Sequence, residues 1–88
     1  MIEYIVQSVT IHNRQSAGSM ILKVYKQESP DFESYISIYG ENDTRIFLYG
    51  ERVPKEDILI WLPTAFEPKV QITTDSERYG FVTEARFS

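Results

Sequence analysis

Residues 34–52 read SYISIYGENDTRIFLYGER. Two short runs stand in this stretch, Tyr35-Ile36-Ser37-Ile38-Tyr39 and Arg45-Ile46-Phe47-Leu48-Tyr49, with a polar gap between them. In each run one set of alternate residues is aliphatic and the other is largely aromatic. Successive side chains of a strand point to opposite faces, so a half-buried strand should be apolar on one side only. Here both sides are apolar. The aliphatic sets belong in one core, so Ile36 and Ile38 should face the same way as Ile46 and Leu48. Opposed residues of an antiparallel pair share a face, so a hairpin between the runs needs a loop with an odd number of residues. A five-residue loop, Gly40 to Thr44, pairs Ile36 with Leu48 and Tyr35 with Tyr49. A three-residue loop also fits, whereas a two-residue turn at Asn42-Asp43 would oppose aliphatic to aromatic side chains.

Outward from this stretch, β-branched and aromatic residues fill short segments that Gly, Pro, Asn, Asp and Ser punctuate. Tyr4 to His12 reads as a first strand with a broken phase: Ile2, Tyr4 and Val6 share one parity, and Val9 and Ile11 take the other. Either both faces are partly covered or a bulge near Gln7-Ser8 moves the pattern across. Met20 to Lys26 is a second strand, and QESPDFES, residues 27–34, reads as a loop in which Pro30 blocks ladder donation. Lys69 to Thr74 and Tyr79 to Phe87 form a last hairpin. Residues 54–62 admit two readings. Pro54, Glu56 and Asp57 resemble a first helical turn, where a missing N–H costs little and acids suit the dipole. Against this, Pro63 closes the segment early, and Ile58 to Leu62 is apolar all round, with two β-branched residues and a Trp. Length and composition favour a buried strand there. The expected fold is mainly β: one domain spanning residues 1–88, a small antiparallel sandwich or open barrel of six to seven short strands, with at most one short helix around residues 54–62.

Eighty-eight residues, 42% apolar and 25% charged, suit one globular domain with a small core. The absence of cysteine favours a reducing compartment, and the N-terminus lacks a basic segment followed by an apolar one, so a cytoplasmic protein without a signal peptide is expected. The longest apolar run, Ile58 to Leu62, falls far short of the ~20 residues that span a bilayer. The net charge of −4, with cations spread along the chain, counts against direct nucleic-acid binding and suits a protein partner with a basic patch.

No motif names a chemistry. The single histidine, His12, lacks an adjacent nucleophile or orienting carboxylate in sequence. With no cysteine there is no zinc-ligand spacing, and the isolated glycines make no phosphate cradle. A non-enzyme without cofactor or metal is expected. The functional hint is the aromatic set. Tyr35, Tyr39, Phe47 and Tyr49, with Trp61, form either a second layer of core or an exposed face. Exposed, they would make the centre of a protein-binding surface, since Tyr and Trp combine contact area with a polar handle. Glu33, Glu41 and Glu51 would ring it. The expected function is a non-catalytic interaction module, of the compact inhibitor or adaptor kind that phages and mobile elements encode against a host protein. The main rival is a structural subunit acting by homo-oligomerisation, followed by an aromatic-face nucleic-acid binder.

Overall fold

A computed structural model describes residues 1–12, 18–40, 43–75 and 81–88. The elements are β1 (Ile2–His12), β2 (Ser19–Lys26), β3 (Ser29–Tyr39), β4 (Arg45–Leu48), β5 (Glu51–Arg52), α1 (Lys55–Trp61) with a 3₁₀ turn (Leu62–Thr64), β6 (Lys69–Thr74) and β7 (Val82–Phe87). The seven strands make one mixed sheet in the order β3-β2-β1-β6-β7-β4-β5. The mainly β expectation holds. Among the described residues no helix is long and apolar enough to cross a membrane.

The broken phase of β1 is a bulge. Val6 faces Val24 and Val9 faces Leu22, with the register shifting between Val6 and Ser8. The extra residue lets Val6 and Val9, of opposite parity, both reach the core. β1 is also the shared strand: Ile2 to Ile5 pair with β6, and Ile5 to His12 pair with β2. A second shift between Thr73 and Thr74 does the same for β7, where Val82, Ala85 and Phe87 are all buried.

The aliphatic parity of the central stretch also holds. Leu22, Val24, Ile38 and Ile46 are buried together, and Ile36 and Leu48 pack against them. The hairpin does not. β3 pairs with β2, Ile36 facing Leu22, while β4 runs parallel to β7, Ile46 beside Ala85 and Leu48 beside Phe87. Neither Ile36–Leu48 nor Tyr35–Tyr49 is a pair. Parity states which face a residue takes, and any same-face neighbour satisfies it.

This topology forces the sheet to coil. β3 and β4 stand five strand spacings apart in the order, about 24 Å if the sheet were flat. The six peptide steps from Tyr39 to Arg45 reach about 20 Å when fully extended. The sheet therefore curls until Ile38 of β3 and Ile46 of β4 line the same hollow beside Val53 and Pro54. Gly40 N–H bonds to Gly18 O at 2.8 Å, and Thr44 Oγ1 donates to Val82 O at 2.6 Å, fixing both ends of the crossing.

Residues 54–62 form a helix, which corrects the buried-strand reading. Pro54 takes the N-cap position at φ −65°, and Glu56 and Asp57 occupy the first turn. Ile58 and Trp61, three apart, share a helical face and are buried, whereas Leu59 and Ile60 are exposed. Pro63 falls inside the closing 3₁₀ turn, where Thr64 Oγ1 donates to Trp61 O at 2.7 Å. The loop reading of residues 27–34 is corrected too. Only Gln27 and Glu28 turn, and β3 begins at Ser29. Its register against β2 shifts between Tyr25 and Lys26, leaving three additional residues on β3, with Pro30 tolerated because the strand is an edge. Tyr79 and Gly80, expected at the start of the last strand, lie outside the described residues.

Candidate interaction surface

The aromatic residues of the central stretch separate into three places. Tyr35 and Tyr39 stand on edge strand β3, 67% and 50% exposed. They flank a cleft of about 690 Å³ whose floor includes Ile2, Tyr4, Ile72 and Val82. Ile72 and Val82 of this floor belong to the buried core, and Tyr4 packs against it. Lys23 faces Tyr35 across the β2–β3 ladder and holds Glu33 at 3.1 Å. The Glu33 carboxylate raises the Lys23 pKa above its ordinary value, first through their hydrogen bond and then through charge attraction.

Phe47 lies on β4, half-buried beneath the Arg86 guanidinium, whose carbon is 4.2 Å from the ring centre. Arg86 also donates to both carboxylate oxygens of Glu84, at 2.8 and 3.3 Å, and Arg45 stands 3.7 Å from the same group. The Arg86 hydrogen bond holds the Glu84 pKa below the ordinary carboxylate value, and the charges of Arg86 and Arg45 assist it against partial desolvation.

Tyr49 belongs to the helix side. It and Gly50 take φ values of 51° and 85° in the two-residue turn between β4 and β5, which breaks the strand alternation. The Tyr49 ring therefore meets Trp61 edge-on at 6.1 Å, and Trp61 meets Phe87 at the same distance. Trp61 Nε1 donates to Tyr49 Oη at 3.1 Å. Trp61 is only 9% exposed, so it supports Tyr49 from below and presents no contact surface of its own. Glu51 is exposed on β5, and Glu41 lies outside the described residues.

The five expected aromatics thus form no single face. Tyr35 and Tyr39 stay together, Tyr49 with Trp61 makes a second place, and Phe47 makes a third. The floor of the cleft lies outside the stretch whose aromatics suggest the site. Its signal was the break of parity in β1, which brings Tyr4 inward on the same side as Val9. Leu59, Ile60 and Phe66 are further exposed apolar groups around the helix, and the all-round apolar run Ile58 to Leu62 contains the first two.

His12 is exposed near Ser19, Ile21, Ser37 and Tyr39, at a shallow hollow of about 350 Å³. Among the described residues no polar or charged residue is buried, and no three of His, Cys, Asp and Glu gather as a metal site would require. No protein-family model matches this chain, and comparison with curated proteins and with solved structures finds no match.

Proposed function

We propose that this protein is a non-catalytic interaction module that docks another protein against the β3 edge and the cleft beside it. One observation carries the reading: Tyr35 and Tyr39 are exposed on an edge strand, at the side of a cleft lined by apolar Ile2, Ile72 and Val82 together with polar Ser37, Thr74 and Asp75, in a small domain. Exposed aromatic anchors beside a concave apolar surface are what protein interfaces use at their energetic centre. The unpaired edge adds a second means of recognition, since an extended segment of a partner can complete the ladder through its backbone.

Charge selects protein over nucleic acid. Lys23, Arg45, Lys55 and Arg86 are all engaged by carboxylates, and the net charge is −4. A basic patch on the partner complements that surface and speeds association. An inhibitor or adaptor, the class phages and mobile elements encode, works in this way without chemistry of its own.

The test is capture of the partner with tagged protein from its native host, followed by binding and stability measurements on Tyr35→Ala and Tyr39→Ala. Each substitution should weaken binding by about 30-fold, the loss typical of a central interface aromatic. Each should leave unfolding free energy within about 0.5 kcal/mol of wild type, as expected of exposed positions. Unchanged affinity in both folded variants would refute the assignment.

A further inference from the structure

Among the described residues β3 is paired to β2 along one side and ends the sheet on the other. Natural edges are guarded by proline, charge or irregular register. The first half of β3 has all three, with Pro30, Asp31, Glu33 and the register shift. From Ser34 to Tyr39 it has none, and this half includes the exposed Tyr35 and Tyr39 and the half-buried Ile36.

Within that half, Tyr35-Ile36-Ser37-Ile38-Tyr39 reads the same in both directions. A palindromic strand is self-complementary when antiparallel. With a two-fold axis at Ser37, Tyr35 opposes Tyr39 of a second copy, Ile36 opposes Ile38, and Ser37 opposes itself. Core-facing aliphatics meet aliphatics and outward tyrosines meet tyrosines, the matched cross-strand pairs that stabilise sheets. Other registers lack this match. A one-residue slip opposes tyrosine to isoleucine and mixes the two faces. An axis at Ile36 sets Glu33, already held by Lys23, against Tyr39, and an axis at Ile38 sets Ile36 against Gly40. The paired five residues carry no charge.

We propose that two copies of this chain join edge to edge through β3, antiparallel about a two-fold axis at Ser37, to form one continuous sheet. The inference rests on the interaction reading only in taking β3 as a docking edge, and it names a second copy as an occupant of that edge. A partner strand from another protein and a second copy then exclude one another. Pairing through one short edge buries an area at the low end of specific interfaces, below about 1,200 Å² in total, so the dimer is a micromolar one.

The chain has no cysteine, so one introduced thiol reports the register without background. In Ser37→Cys the two thiols face each other across the axis, with Cα atoms about 5 Å apart, inside disulfide range. In Tyr35→Cys the equivalent thiols stand four residues apart along the strands, about 13 Å, and out of reach. Under mild oxidation Ser37→Cys should form covalent dimer at least 10-fold faster than Tyr35→Cys, with both folded by circular dichroism. Wild-type protein should sediment as monomer near 1 µM and increasingly as dimer toward about 100 µM, bracketing the expected constant. Equal cross-linking rates for the two variants would overturn the register. A wild-type monomer throughout that range would overturn the dimer, and decides the matter should either variant fail to fold. Neither result bears on the captured partner, whose binding is judged by Tyr35→Ala and Tyr39→Ala.

Discussion

Ile58 and Ile60 carry the same side chain two positions apart, and the fold assigns them opposite fates. In a strand they would share a face, and truncating either would cost about the same. In α1 they stand about 200° apart around the axis. Ile58 is fully buried and Ile60 is 74% exposed. Ile58→Ala removes three carbons from the core, about 2.4 kcal/mol of transfer free energy at ~0.8 per group. The cavity left beneath the helix raises the total to about 3–4 kcal/mol. Ile60→Ala forfeits only about a quarter of that transfer term, ~0.6 kcal/mol, and alanine's higher helix propensity returns ~0.4. The net change at Ile60 is close to zero. Urea unfolding followed by circular dichroism measures both. Stability of about 5 kcal/mol is ordinary for a small domain, so Ile58→Ala sits near the lower limit of measurement. Ile58→Val, expected to cost about 0.5–1.5 kcal/mol, is the milder companion. If Ile60→Ala lost as much stability as Ile58→Ala, the helical assignment and the corrected reading of residues 54–62 would both be wrong.

Two further outcomes follow from the side-chain contacts. The folded-state pKa of Glu84 is depressed, so its contribution to stability is present above the ordinary carboxylate pKa and is lost as pH falls through the lowered value. Glu84→Gln should therefore reduce the drop in urea midpoint between pH 7 and pH 3, and an unchanged drop would show that the Arg86 contact does not stabilise the fold. Tyr49→Phe removes the acceptor for Trp61 Nε1 while keeping the edge-on ring pair. It should cost about 0.5–1.5 kcal/mol and shift the emission of the only tryptophan, and a variant unchanged in both would contradict the contact.

Alternation made much of the core legible before any strand was placed. Leu22, Val24, Ile38 and Ile46 are buried as their parity requires, because a strand's period of two is a local property. Pairing partners are not local. The β4–β7 ladder joins residues about forty positions apart, and Ile46 would bury its side chain equally well beside Ile36 or Ala85. What separates the two is the closure of a coiled sheet, which no short stretch states. The helix was misread for a different reason. Ile58 to Leu62 is apolar on every side, as a strand covered on both faces would be, whereas α1 buries one stripe and leaves Leu59 and Ile60 in solvent. Composition measures what could be buried, and the surrounding sheet decides how much of it is.

The aromatic side of the central stretch divides according to what each residue meets from elsewhere in the chain. Phe47 is claimed by Arg86, 39 positions later, whose guanidinium is also held by Glu84. Tyr49 leaves the strand alternation at a left-handed turn and is claimed by Trp61. A tyrosine at φ 51° is strained, and the ring contact with its hydrogen bond offsets that strain. Among the described residues Tyr35 and Tyr39 have no such claimant. Their cross-strand neighbours are Lys23 and Ser19, and Lys23 is directed to Glu33. The pattern that made these residues look alike in sequence was strand parity, and tertiary contacts then removed Phe47 and Tyr49 from it. What is left is the half of β3 that lacks proline, charge and, among the described residues, an outer strand. The same omission that leaves Tyr35 and Tyr39 exposed also leaves the backbone beside them free to pair, so the aromatic surface and the open edge are one feature of the fold.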